Sequence, residues 1–424
     1  MIAISRTVRC FVAAATVATS AFAQAPPVTL SVTLSGEPAV EYRTGEPIAD
    51  ADRGLAGEVA RRFPALHFSS NLAHAARELG SGWSGGNLAS EPHELITFLL
   101  HSGGCPDPAA LAAVVSSTSD DTAAVWDKLA TCLREADEPF TDVGVARVRD
   151  PGGTFAWRSV ILMVRRRFAL QPVPRAVAAG AELRVAFSLA GDLRSPEIIT
   201  ISPAGVTRRA AAKAAGALWE AVLALGDERG EHGIELLADD DHGPHVLALF
   251  PVAVAAAPPR QWRGEPPPSE AAIASVADAE RYLRELTDRD RTGERRAALT
   301  WDPALAAVAR AHSEDMRDNA FMGHVSARTG DLGDRLHRAD YAFAFAAENI
   351  ARSTSLWEAM ASLMRSPGHR RNLLSPEVTH GGIGVAIATD AHGERTYLVT
   401  QVFARPAPRE SPRRPGASPR REVP

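Results

Sequence analysis

The sequence predicts an α+β chain built from several domains. Three observations support this. Apolar residues recur at helical spacing in the first and last thirds, they alternate with polar residues in the middle third, and proline-rich stretches separate these regions. A chain of 424 residues is also too long for a single hydrophobic core. The expected layout is a signal peptide over 1–23, an α+β domain over 28–170 and a small β-sandwich over 171–257. A proline-rich linker over 258–269, a second mixed domain over 270–405 and a disordered basic tail over 406–424 follow.

The N-terminus predicts export. Arg6 and Arg9 precede an apolar run from Cys10 to Thr19, and Ala21-Phe22-Ala23 forms an A-x-A site before Gln24. That is the pattern of a cleaved secretory signal, so the mature chain is expected outside the cytoplasm, extracellular or periplasmic. An uncleaved anchor is the alternative. Cys10 lies inside the apolar run and not after a cleavage site, which argues against a lipid anchor. No later segment approaches the roughly 18 consecutive apolar residues of a membrane span. Removing the signal takes the formal charge from −5 to −7. This mild acidity gives no basis for a nucleic-acid partner.

In the first block, Leu72, Ala75, Ala76 and Leu79 define one face of a short helix over Asn71–Leu79. Glu94–Leu100, Pro108–Val115 and Ala123–Ala136 also read as helices. Thr141–Ala146 and Trp157–Val164 read as strands around a turn at Asp150–Gly153. Cleavage of the signal leaves two cysteines, Cys105 and Cys132. In an oxidising compartment a disulfide between them is expected, with two buried thiols as the alternative.

The middle block reads as β. Leu183, Val185, Phe187 and Leu189 alternate with Glu182, Arg184, Ala186 and Ser188, the period of a half-buried strand. Ile198–Ile201, Leu218–Leu225, Ile234–Leu237 and Val246–Val254 add further strands, the last two joined by a hairpin loop at Asp239–Pro244. Several short strands in one block suggest a small sandwich. The acidic loop matches no calcium-loop spacing and reads as a solvated turn. Pro258–Pro259 and Pro266–Pro268 mark a stiff linker. The tail from Arg405 is rich in proline, arginine and serine and has no apolar period, so disorder is expected; weak attraction to an anionic envelope polymer is the alternative.

The last domain carries the chemistry. Ile273, Val276, Tyr282, Leu283 and Leu286 follow helical spacing. Asp302 and Pro303 start a second helix as N-cap and first helical residue, continued by Leu305, Val308, Ala309, His312 and Met316. A strand hairpin over Ile383–Phe403 closes the domain, and its strand-turn-strand order repeats that of Thr141–Val164. The first block is therefore expected to be a diverged copy of the last. Ser366-Pro367-Gly368-His369-Arg370-Arg371-Asn372 sets a histidine between a helix-breaking pair and a helix-ready run, with Gly323-His324 and Glu348-Asn349 upstream.

Two imidazoles and a carboxylate suit zinc with water, or general acid-base work. A hydrogen-bonded polar network is the plainer reading. No H-E-x-x-H helix is present, which weighs against a familiar metalloprotease. His312 lies on an apolar helix face and reads as a core histidine.

These motifs, together with Leu299-Thr300-Trp301-Asp302-Pro303, Ala309-Arg310, Asp315-Met316 and Gly382-Ile383-Gly384-Val385, resemble the CAP superfamily. It comprises cysteine-rich secretory, antigen 5 and pathogenesis-related 1 proteins, and the likeness is to its bacterial secreted (SCP-like) branch. The resemblance implies an α-β-α sandwich for 270–405 and a cleft of two histidines and acids that in some members holds zinc or another divalent cation. By motif position these residues are His324, His369 and Glu348, with Glu358 as the candidate second acid. The chain departs from the family pattern at Leu363-Met364, where tryptophan is usual, and at Asp288, where asparagine is usual. The first block keeps none of the His/Glu/His set and is expected to be scaffold.

The function so implied is a secreted ligand-binding module for a small hydrophobic molecule, a peptide or a glycan-like envelope polymer. The alternative is a metal-assisted, peptidase-like hydrolase with His324, Glu348 and His369 around a bound water.

Overall fold

The computed structural model describes residues 30–82, 93–136, 138–149, 155–264, 267–389, 393 and 395–408. The expected signal peptide, the turn at Asp150–Gly153, most of the turn at Asp390–Gly393 and the tail beyond residue 408 lie outside the described residues. The protein is a mixed α/β structure.

In the C-terminal region, helix Val276–Gly293 starts at a capping box in which Ser275 and Asp278 each accept from the other's backbone N–H. Helix Pro303–Asp318 starts as the sequence predicts, with Asp302 accepting from Ala304 N–H and proline at the first position. A four-stranded sheet lies between helices, in the order Thr300–Trp301, His380–Thr389, Arg395–Pro406, Phe343–Ser353. Its first pairing is parallel and the other two are antiparallel. Apolar side chains pack both faces. Leu283, Met360, Val399 and Phe403 share one cluster, while Leu305, Val308, Leu336 and Val402 share the other. Gly382 permits this layering, because a Cβ there would collide with the backbone of Leu305 and Ala306 on the covering helix.

The N-terminal region holds a second four-stranded sheet in the order His67–Phe68, Asp142–Arg149, Trp157–Val164, Leu111–Ser117. Its pairings run parallel, antiparallel and antiparallel, the same sequence of senses as in the C-terminal sheet. Helices over Ser70–Gly82, His93–Ser102 and Ala123–Glu135 match expectation. The helix expected at Pro108–Val115 is instead the strand Leu111–Ser117. Its alanines favour a helix locally, but pairing of all seven residues with Trp157–Met163 outweighs that weak propensity.

The expected disulfide is also corrected: Cys105 and Cys132 are both free, buried thiols. Cys105 packs with Ala146, Val160 and Leu162, and Cys132 with Val145, Ile161 and Met163. Those alternating residues point to opposite faces of one sheet, so the sheet itself separates the two sulfurs.

Between these regions, sheets of four and five strands enclose one core that includes Val185, Phe187, Ile198, Leu236 and Phe250. Phe168–Leu170 is one edge strand of the four-stranded sheet. The five-stranded sheet contains a long hairpin, Gly230–Asp240 with Gly243–Val254, turning at Asp241-His242. Asp240 is held there by Arg167 at 2.9 Å and His245 at 2.7 Å. Within the proline-rich stretch expected to be a linker, Gln261–Gly264 pairs with Leu30–Thr33. Trp262 from this strand is buried in the N-terminal core.

Candidate functional site

The five-stranded sheet packs against the C-terminal region at the segments that carry the predicted histidines. The His242 ring stacks on Phe321 with centroids 5.1 Å apart, and Val325 N–H donates to His242 O at 3.0 Å. Gly323 is required at this contact, because a Cβ would run into His242. His324 follows directly.

Glu348 lies on strand Phe343–Ser353, opposite Val402. Its carboxylate is almost fully buried, and both oxygens are engaged. Oε1 accepts from His324 Nδ1 at 3.0 Å, and Oε2 accepts from the Arg335 guanidinium at 2.6 Å. Burial alone would raise the Glu348 pKa. The His324 hydrogen bond and the Arg335 charge outweigh it and hold the carboxyl below its ordinary range. Arg335 also donates to the carbonyls of His324 at 3.1 Å and Gly330 at 2.8 Å, tying the His324 loop to Glu348. It sits on helix Leu332–Arg338, which starts at an Asp331/Asp334 capping box.

His312 is fully buried, as expected of a core histidine, yet it belongs to the same cluster. Its Nε2 donates to Gly323 O at 3.0 Å and lies 3.9 Å from Glu348 Oε1. Burial lowers its pKa, which keeps the ring neutral.

His369 sits on helix Pro367–Leu373, whose N-cap is Ser366. Burial first, and then the charge of His324, push its pKa down to about 3. The ring is therefore neutral near pH 7. Its Nδ1 is 2.7 Å from Ser366 Oγ. Asn349 donates to His369 O at 3.1 Å, and Asn372 donates to Glu348 O at 3.2 Å, clamping this helix to the Glu348 strand. On the other side Glu235, from strand Gly230–Asp240, accepts from the Ser366 hydroxyl and from Gly368 N–H at 2.8 Å. Burial raises the Glu235 pKa.

Of the four predicted site residues, His324 and Glu348 are in direct contact. The electrostatic influence of His324 reaches His369. Glu358 is buried on helix Leu356–Arg365, and its charge acts on Arg365. Among the described residues, no group of three or more His, Cys, Asp or Glu side chains is arranged to hold a metal ion. Glu348 already accepts one hydrogen bond on each oxygen, from His324 and from Arg335.

Sequence reasoning missed Arg335 and Glu235. Arg335 has no local signature beyond its place in a short helix. Glu235 stands between the inward-facing Ile234 and Leu236, so alternation puts it on the solvent side; only the docked helix buries it.

Comparison with known proteins agrees with the motif order. Residues 284–403 match the family model described as CAP, the cysteine-rich secretory protein family. The C-terminal region of this chain is a CAP domain. The chain is 40% identical over 108 residues to the uncharacterized membrane protein YlbC of Bacillus subtilis, covering 25% of this chain and 31% of that one. It is 35% identical over 114 residues to the uncharacterized protein YkwD of the same organism, covering 27% of this chain and 44% of that one. The match thus spans under half the length of either relative. A solved extracellular protein containing an SCP domain, from Bacillus anthracis, is 23% identical with a TM-score of 0.28. That alignment covers 56% of this chain and 86% of the solved one. Among the described residues, no helix is long and apolar enough to cross a membrane.

Proposed function

We propose that this chain is an exported CAP-domain protein that binds a ligand, a small hydrophobic molecule, a peptide or an envelope polymer, at the His324/Glu348/His369 cluster. The observation that carries this reading is the state of Glu348. A carboxylate whose two oxygens each already accept a hydrogen bond, from His324 and from the Arg335 guanidinium, is held as a structural acceptor, which favours binding over nucleophilic or water-activating chemistry. It organises the cluster, and the neutral His369 ring supplies hydrogen-bonding capacity.

The signal at 1–23 and the division into 28–170, 171–257, 258–269 and 270–405 belong to the same proposal. So does descent of the N-terminal region from a CAP-like copy. Its support is the shared strand order and a shared close approach: a Cβ at Gly144 would collide with Leu72 and Ala73 as one at Gly382 would with Leu305 and Ala306. Ala112 pairs with Leu162 where the C-terminal sheet pairs Glu348 with Val402, so this copy lacks the acid and acts as scaffold. An experimental structure with a different strand order in either sheet would end that idea.

Metal analysis of the purified protein, ligand capture from envelope extracts and a broad hydrolysis screen, each run on wild type and His369→Ala, test the function. Capture by the wild type that is lost in the variant, without turnover, supports binding. Turnover abolished by His369→Ala sinks the binding reading in favour of the metal-assisted hydrolase.

A further inference from the structure

We infer that Glu235 is a positioning residue for His369: through the Ser366 hydroxyl it holds the ring proton on Nδ1 and leaves Nε2 as the ring's free acceptor. The inference rests on the reading that His369 belongs to the binding cluster. It adds a residue from outside the CAP domain, since Glu235 is 131 positions upstream of Ser366 on a strand of the five-stranded sheet.

Gly368 N–H donates to Glu235 Oε2 at 2.8 Å, and the Ser366 hydroxyl donates to Oε1. An ionised Glu235 only accepts, so the single hydroxyl proton is committed to it. Ser366 Oγ, 2.7 Å from His369 Nδ1, then acts as acceptor, and Nδ1 must carry the proton. His324 is set in the same way, because its Nδ1 faces the Glu348 carboxylate at 3.0 Å.

Both rings thus carry a proton on Nδ1, one facing a buried carboxylate directly and the other through a hydroxyl. Partner groups that orient an imidazole in this way are the usual device for presenting its second nitrogen. Glu235 is fully buried and Ser366 nearly so, which shields the relay from competition by water. An acceptor at Nε2 suits a hydroxyl or N–H donor on the bound molecule and disfavours a carboxylate. It is held only while the five-stranded sheet is docked on the His369 helix.

Long-range nitrogen–proton NMR on the full-length, nitrogen-15-labelled protein reads the tautomer without any ligand, so it stands whether or not the binding proposal does. The His369 signal is assigned by its loss in His369→Gln. Wild type is expected to show Nδ1–H. In Glu235→Gln the amide carbonyl takes Gly368 N–H, and the amide N–H₂ turns to Ser366. The hydroxyl then donates to Nδ1, and the ring proton moves to Nε2. The tautomer ratio should shift by about tenfold or more, the scale of one hydrogen bond to a charged group. Ser366→Ala removes the relay and should shift the ratio in the same direction while leaving the His324 signal in place. An Nε2–H tautomer in the wild type, or Nδ1–H retained in both variants, overturns the inference.

Discussion

Arg335→Ala is the sharpest test of the CAP-domain cluster. The Arg335 and Glu348 side chains are 4% and 3% exposed and meet at 2.6 Å. Removing the guanidinium leaves a buried carboxylate with only the His324 hydrogen bond. It also strips the donors from the carbonyls of His324 and Gly330. Breaking one side of a buried pair costs about 3–5 kcal/mol. For a region the size of 270–405 unfolding as a unit, that is a fall in melting temperature of roughly 10–18 °C.

The deficit should depend on pH. In the wild type the Glu348 pKa is held below its ordinary 4.5, so its contribution is full above that pH and is lost as pH falls through the lower folded value. Without the Arg335 charge, less offsets burial and the folded pKa rises from its wild-type position. Protonation then relieves the variant, and its deficit shrinks in acid. Calorimetry or chemical denaturation of wild type, Arg335→Ala, Glu348→Ala and the double variant reads both effects. The double variant should be more stable than the sum of the singles predicts, by about 1 kcal/mol or more. A loss under about 1 kcal/mol for Arg335→Ala, constant across pH, would refute the reasoning.

Two further outcomes follow. His369 has a folded pKa of about 3 against an ordinary 6.5, so the unfolded chain binds the extra proton between those values. Its stability contribution is full above pH 6.5 and lost toward pH 3, with a slope on the order of 1 kcal/mol per pH unit. His369→Gln should flatten that limb, and an unchanged slope counts against a buried neutral ring. Cys105 and Cys132 should both titrate as free thiols in denaturant without reductant, with no change in melting temperature when reductant is added to the native protein. An intact mass lower by two hydrogens would show a bridge instead.

Much of the CAP domain is legible in the chain because its signals are local. Asp302 and Pro303 mark a helix start from two adjacent residues, and the His324, Glu348 and His369 motifs are each short runs. The N-terminal region is less legible where local preference and tertiary pairing disagree. Leu111–Ser117 is alanine- and valine-rich sequence that a neighbouring strand recruits into a sheet. The cysteines fail for a related reason: compartment and count suggest a bridge, while which face of a sheet each sulfur occupies is a question of register.

By itself, the sequence determined the α+β mix of elements, the CAP domain, and the short motifs that carry His324, Glu348 and His369. These are set by periodicity, caps and motif order over a few residues at a time. Only the tertiary structure decided that Arg335 pairs with Glu348, that His312 lies beside it, and that Glu235 reaches Ser366 from another sheet. Each of those is a buried polar group whose partner lies far along the chain or on another element. The cost of burying it unpaired is what fixes the pairing.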